Sequence, residues 1–178
     1  NKLDVYCPEG TDKPLPTIVS IHGGGWCYGS KKLYSHYCLK LAARGFTVVN
    51  FDYRLAPEHK YPAPLEDCCN VLHWMQEHGA QYGIDLNNVF LVGDSAGAQL
   101  ASQYAAIVTN PEYADTFHMH VPEITIRCLG LNCGMYDMSA RASERRSGIH
   151  LDYLGRELSG DDPRFRVLDS IGSNYPPA

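Results

Sequence analysis

Two short stretches of this 178-residue chain carry residue types that could do chemistry together. The first is Gly93-Asp94-Ser95-Ala96-Gly97, which directly follows the apolar run Val89-Phe90-Leu91-Val92 and precedes a small-residue segment from Ala98 to Val108. A strand that ends in G-x-S-x-G and turns at once into a helix has the pattern of a nucleophile elbow. The turn is so sharp that a side chain at Gly93 or Gly97 would meet neighbouring backbone. Ser95 is then held in a strained conformation with its hydroxyl exposed. The pentapeptide alone fits an ordinary tight turn equally well; the flanking strand and helix favour a nucleophile. Asp94 points elsewhere on such a turn and reads as a support for the elbow.

The second stretch is His22-Gly23-Gly24-Gly25-Trp26, also at the end of an apolar run, Thr17-Ile18-Val19-Ser20-Ile21. Acyl transfer builds negative charge on a carbonyl oxygen, and backbone N–H groups aimed at that oxygen stabilise it. Glycines let the backbone approach closely and turn those groups inward. Gly24 and Gly25 are the expected donors, with Ala96 adding a third from the start of the helix after Ser95. A flexible linker would not sit between an apolar strand and a Trp. A phosphate loop would continue into GK[ST], which this one does not. His22 precedes the glycines and is expected to brace the loop by hydrogen bonding, not to act as a base.

These residues need a frame to position them. Lys2–Tyr6, Thr17–Ile21, Phe46–Phe51, Val89–Val92 and Ile124–Leu131 read as strands. Between them lie helical patterns: one opening after Ser30 with Leu33, Tyr37 and Leu41 on one face and closing at Gly45, and one with Leu65, Cys68, Leu72 and Met75 on one face and closing at Gly79. Asp85–Asn88 is turn chemistry. Asp162-Pro163 has the form of a helix start. The alternation implies an α/β protein, a mostly parallel sheet covered by helices on both faces. Ligands of such sheets bind at the carboxyl ends of strands, where both motifs fall. Residues 1–178 read as one domain. The stretch 139–172, with Arg141, Glu144, Arg145 and Arg146, reads as an excursion from it, with a short helix through Leu151, Leu154 and Leu158.

Composition narrows the function classes. Hydrophobic residues are 44% and charged residues 20%, a globular and not a disordered balance. A net charge of −5 argues against a nucleic-acid surface, which needs a basic face. No apolar run is long enough to span a membrane. The seven cysteines, Cys7, Cys27, Cys38, Cys68, Cys69, Cys128 and Cys133, are odd in number and contain no C-x-x-C pair, which speaks against zinc and for free thiols in a reducing, cytoplasmic setting. The first residue is Asn1, and Lys2–Tyr6 reads as a strand and not as a signal peptide.

Three blocks taken together carry a resemblance. His22–Trp26, then Tyr53-Arg54-Leu55-Ala56-Pro57-Glu58-His59 with Tyr61-Pro62-Ala63-Pro64-Leu65-Glu66-Asp67, then Gly93–Ala98, in that order, resemble the hormone-sensitive-lipase-like branch of the α/β-hydrolases. The resemblance runs from about Lys2 to Ala178. It implies a serine esterase of short-chain carboxylic esters, with Ser95 as nucleophile, Gly24, Gly25 and Ala96 as oxyanion hole, and no cofactor or metal. The Tyr53–Asp67 block would lock the turn behind the site. Residues near 139–170 would form a cap over the acyl pocket, with Leu151, Tyr153 and Leu154 as candidate walls, although packing onto the sheet explains these three as well. Two other readings stay open: a formamidase or amidase of the same fold, and a small-molecule receptor that keeps the esterase pocket without a catalytic histidine.

The family order is Ser, then Asp, then His. Here Tyr175-Pro176-Pro177-Ala178 closes the chain where the resemblance expects the strand that leads to the acid, so the acid and base are expected beyond Ala178. Asp137 fits a turn better than the acid. His118 and His120 precede a strand at the wrong end of the sheet, and His150 lies in the excursion. The family sheet would continue past Ile124–Leu131, so that strand is expected to present a long unpaired edge and to favour a homo-oligomer.

Overall fold

The computed structural model describes residues 2–139 and 148–178. Arg141, Glu144, Arg145 and Arg146 of the charged stretch lie outside the described residues. Five strands form one sheet: β1 (Leu3–Tyr6), β2 (Leu15–Ile21), β3 (Thr47–Phe51), β4 (Ile84–Asp94) and β5 (Ile126–Asn132), in the order β1-β3-β2-β4-β5. β2 to β5 are parallel, while β1 runs antiparallel on the outside of β3. The connecting helices are α1 (Ser35–Ala42), α2 (Ala63–His78), α3 (Ala96–Thr109), the short α4 (Pro111–Asp115) and α5 (Ile149–Leu154).

Alternation along the strands sends side chains to opposite faces. Val19, Ile21, Val49, Phe51, Val89 and Leu91 join the large core with α2 and α3. Ile18 and Val48 face the other way, towards Cys38 and Ala42 of α1. α3 is buried over nearly its whole length, which its run of Gly, Ala and Ser permits because small residues let the helix lie close to the sheet. Among the described residues no helix is long and apolar enough to cross a membrane.

Register explains why the two motifs meet. Ile21 is level with Gly93 across β2 and β4, and Asp94 is level with Asn132 across β4 and β5. The chain leaves β2 towards β3 on one side, while β4 lies on the other. This is a topological switch point, where loops diverge and open a crevice at the carboxyl ends.

Four expectations need correction. The segment after Ser30 is first a 3-10 turn, Lys31–Tyr34, and the α-helix begins only at Ser35. Its inward series is Tyr34, Cys38, Leu41 and Ala42, while Leu33 and Tyr37 are exposed. Cysteine acts here as a small hydrophobe, and the tighter opening turn moves the apolar stripe by one position. Asp85–Asn88 is not a separate turn but lies inside β4. The pairing with β2 jumps from Pro16–Asp85 to Thr17–Val89, and Asp85 accepts a hydrogen bond from the Asn87 N–H at 3.0 Å. α5 ends at Leu154, before Leu158, because Gly155 breaks away at φ 71°. Finally, the β5 edge is partly covered: the Leu129 N–H donates to the Pro177 carbonyl at 2.8 Å, and the Tyr175 hydroxyl meets Ser102 Oγ at 2.9 Å. The Tyr175–Pro177 tail thus takes up a ladder bond that was expected to be unpaired.

Candidate active site

Ser95 stands between β4 and α3 at φ 50° and ψ −117°, a conformation that a non-glycine residue rarely adopts. It is exposed, while its neighbours Gly93 and Ala96 are buried. Its N–H donates to the Asn132 carbonyl at 2.7 Å, and its carbonyl accepts the Gln99 N–H at 3.1 Å as α3 begins. The tightness of the turn is measurable. A Cβ on Gly93 would lie 2.4 Å from the Gly97 backbone, and one on Gly97 would lie 2.1 Å from the Ile21 carbonyl oxygen. Both glycines are therefore required, and the second presses the start of α3 against the end of β2.

The glycine loop folds with similar economy. Gly24, Gly25 and Trp26 have φ values of 125°, 54° and 60°. The Gly24 carbonyl turns back to accept the Cys27 and Tyr28 N–H groups at 3.1 and 3.0 Å. The N–H groups of Gly24 and Gly25 have no acceptor among the described residues. Ala96, the first residue of α3, has an N–H outside the helix's own ladder. Three backbone donors thus stand at the strand ends that flank Ser95.

His22 is packed beside this loop. Its side chain is buried, its ring stacks on Tyr53 with centroids 4.1 Å apart, and its carbonyl accepts the Tyr53 hydroxyl at 3.0 Å. Nδ1 lies 2.8 Å from the Gly23 carbonyl. A carbonyl only accepts, so Nδ1 carries the proton. Burial lowers the His22 pKa below its ordinary value of 6.5, outweighing the upward pull of the Gly23 bond and of Asp52 and Asp94. A ring kept neutral in the fold but free to charge when unfolded costs stability in acid. His22 therefore contributes its full stability above pH 6.5 and loses it as pH falls from 6.5 towards the lower folded value. An NMR titration of the His22 ring in the folded full-length protein should give a midpoint below 6.5; a midpoint above it would reverse the sign.

Asp94 is bonded by a residue that sequence reasoning missed. The Tyr34 hydroxyl donates to Asp94 Oδ1 and accepts the Gly23 N–H at 3.3 Å, which joins the glycine loop to the residue before Ser95. Loss of solvent, followed by the Asp94 bond, raises the Tyr34 pKa, so the phenol keeps its proton. The Tyr53–Asp67 block is tied to the same loop. Ala56 N–H donates to the Trp26 carbonyl at 2.9 Å, and buried Asp67 accepts from the Arg54 N–H at 2.7 Å and from its Nε at 2.9 Å.

The candidate wall residues separate. Tyr153 and Leu154 are core residues at 0% and 1% exposure and do not face an open pocket. Tyr153 stacks flat on the Trp26 indole, 4.5 Å between centroids, because two large aromatic faces bury more surface against each other than against solvent. Leu151 is half-buried beside a small cleft with Pro57 and Lys60. Ile149, which sequence reasoning did not single out, comes closest to the loop: its Cδ1 would lie 2.8 Å from a Cβ on Gly25. Asp137 forms a local turn to Ser139, with bonds of 3.0 and 2.5 Å. His118 and His120 are exposed before the start of β5, the end of the sheet away from Ser95, and the His120 carbonyl receives His73 Nε2 at 2.7 Å. His150 packs near Trp26, with ring centroids 6.2 Å apart.

A crossover sheet with level strand ends, a strained serine at one of them and a glycine loop at the next define a class. Residues 18–159 match the model of a family described as alpha/beta hydrolase fold. The chain belongs to that family, in its hormone-sensitive-lipase-like branch. It is 40% identical over 100 residues to the esterase LipI of Mycobacterium tuberculosis, covering 56% of this chain and 31% of that protein. It is 39% identical over 119 residues to a probable carboxylesterase 6 of Arabidopsis thaliana, covering 61% and 35%. Among solved structures, esterase B of Lactobacillus rhamnosis, inhibited by a tributyrin phosphonate, superposes with a TM-score of 0.73 at 31% identity, over 94% of this chain and 49% of that one. The chain spans about a third of the length of the curated relatives it matches.

Proposed function

We propose that the full-length protein is a serine carboxylesterase that hydrolyses short-chain carboxylic esters through an acyl-enzyme on Ser95. The observation that carries this reading is the exposed, left-handed Ser95 at the β4–α3 junction, level with a loop whose Gly24 and Gly25 N–H groups have no acceptor among the described residues. Ser95 Oγ attacks the ester carbonyl and its proton passes to a general base. The carbonyl oxygen becomes an oxyanion facing Gly24, Gly25 and Ala96. The C–O bond to the alcohol then breaks and the alcohol leaves protonated. Water attacks the acyl-serine in the same geometry and releases the acid. No histidine of this chain is assigned as the base; the resemblance puts base and acid later in the chain order.

The short-chain preference is supported by the C4-C4 tributyrin phosphonate that inhibits esterase B in its structure. It is also supported by Ile149 over Gly25, which narrows the space beside the proposed oxyanion hole. The segment from 148 to 172 is proposed as the base of a cap that seats the acyl group. The ester is the expected partner of the site, and the reading calls for no cofactor. Treating the full-length protein with a fluorophosphonate and mapping the labelled peptide should place the adduct on Ser95. Hydrolysis of p-nitrophenyl acetate should exceed that of a formyl-aryl-amine. Labelling of another serine, with Ser95 unmodified, would refute the assignment, and preference for the formyl-aryl-amine would favour an amidase.

A further inference from the structure

Helix α3 buries two glutamines, Gln99 and Gln103, at 1% and 0% exposure in a setting of alanines and other small residues. Leucine would fill such space without needing partners, whereas the polar atoms of a buried amide each call for a hydrogen-bond partner. These amides do so in a chain. The Trp26 indole Nε1–H donates to Gln99 Oε1 at 3.0 Å, and Gln99 Nε2 donates to Gln103 Oε1 at 2.6 Å. Gln103 Nε2 faces the hydroxyls of Tyr61 and Tyr113, both at 2.9 Å, and the Arg164 carbonyl at 2.8 Å. Those hydroxyls in turn donate to the Arg164 carbonyl at 3.1 and 2.5 Å.

The polarity of this chain is fixed at both ends. An indole can only donate and a carbonyl can only accept, so neither glutamine can flip without setting like against like. The chain begins at the residue that follows the glycine pair. Trp26 has φ 60°, its ring lies flat on Tyr153, and its carbonyl holds Ala56. Gln99 lies one helical turn beyond Ser95 and bonds to its carbonyl. One turn of α3 therefore touches both the proposed nucleophile and the proposed oxyanion loop.

From this we infer that Gln99 is a positioning residue. By holding the Trp26 indole it locks the left-handed backbone after Gly25 and sets the Gly24 and Gly25 N–H groups against Ser95. Gln103 orients Gln99 and ties α3 to the Pro163–Phe165 turn. The inference rests on the proposed roles of Ser95 and the glycine loop. A merely structural role would lower stability and leave turnover per folded molecule unchanged. A positioning role lowers kcat, because misplaced donors fail the transition state more than the bound ester.

The test uses the full-length protein, with Gln99→Met, Trp26→Phe and the double variant. Trp26→Phe removes the indole donor and shrinks the ring but keeps an aromatic face for Tyr153, so it serves if Gln99→Met folds poorly. With p-nitrophenyl acetate, each single variant should lose about 10- to 100-fold in kcat, the scale of a small misplacement in an active site, with KM within about twofold. Affinity for a trifluoromethyl ketone, which mimics the oxyanion, should fall in step with kcat. The double variant should be no worse than the worse single one, since both break one bond. Folded variants with wild-type kcat, a rise confined to KM, or additive losses would overturn the inference while leaving the esterase reading intact. Failure of a fluorophosphonate to label Ser95 in the wild type would overturn the esterase reading and this inference with it.

Discussion

Ser95→Ala in the full-length protein should cut kcat for p-nitrophenyl acetate by about 10⁴–10⁶, because it removes the hydroxyl proposed as the nucleophile and with it the proposed covalent route. The expectation follows from where the side chain stands. Ser95 is exposed at the tip of a turn that its neighbours enforce, with Gly93 and Gly97 in backbone contact and its own N–H held by Asn132. A residue at φ 50° stores about 1–3 kcal/mol of strain, and such strain persists where surroundings over-determine it. Alanine carries the same strain without the hydroxyl, so the variant should fold with a near-unchanged denaturation midpoint. Burst-phase release of p-nitrophenol should disappear along with steady-state turnover. A Ser95→Ala protein that kept its burst would place the nucleophile elsewhere.

The parts of this site that were legible in the sequence are those where one residue type is demanded by covalent geometry. Gly93 and Gly97 bracket a turn that tolerates no Cβ, and Gly24 and Gly25 adopt φ values that favour glycine, so the residue types by themselves mark both turns. The strands were legible for the same kind of reason: Thr17–Ile21 and Thr47–Phe51 are buried along their whole length and read as short runs in which β-branched residues predominate. What stayed hidden depends on partners far apart in the chain. Tyr34 looks like an ordinary helix aromatic until its hydroxyl is found between Gly23 and Asp94. Gln99 and Gln103, four apart, were visible as amides in a small-residue helix, but only the fold brings Trp26 to one and Tyr61 to the other. Leu33 and Tyr37 misled because periodicity counts apolar residues and gives no hint that Cys38, one position on, is the one facing Ile18 and Val48. For Tyr153 the sequence left a pocket wall and core packing both open: it sits in a polar excursion, yet it is fully buried with its ring flat on Trp26.

The glycine loop should be nearly as sensitive as the serine, and to a far smaller change. A single methyl at Gly24 would place Cβ 2.0 Å from the Tyr28 carbonyl oxygen and 2.7 Å from its carbonyl carbon. Those atoms are backbone and cannot rotate away. They also cannot retreat cheaply, since the Tyr28 N–H is bonded to the Gly24 carbonyl and the loop is closed on itself. The φ of 125° adds a second penalty for any residue with a Cβ. Gly24→Ala must therefore displace the loop, and with it the two N–H groups proposed to receive the oxyanion. Loss of one such donor costs about 10²–10³ in turnover, and this substitution disturbs two. The full-length variant should thus lose at least about 10²-fold in kcat, with slower fluorophosphonate labelling of an otherwise intact Ser95. Glu9→Ala is the control: Glu9 is exposed in the connection between β1 and β2, outside the glycine loop, the elbow and the proposed cap, so turnover and labelling should match the wild type. A folded Gly24→Ala protein with undiminished kcat would show that the oxyanion is held by other groups than this loop.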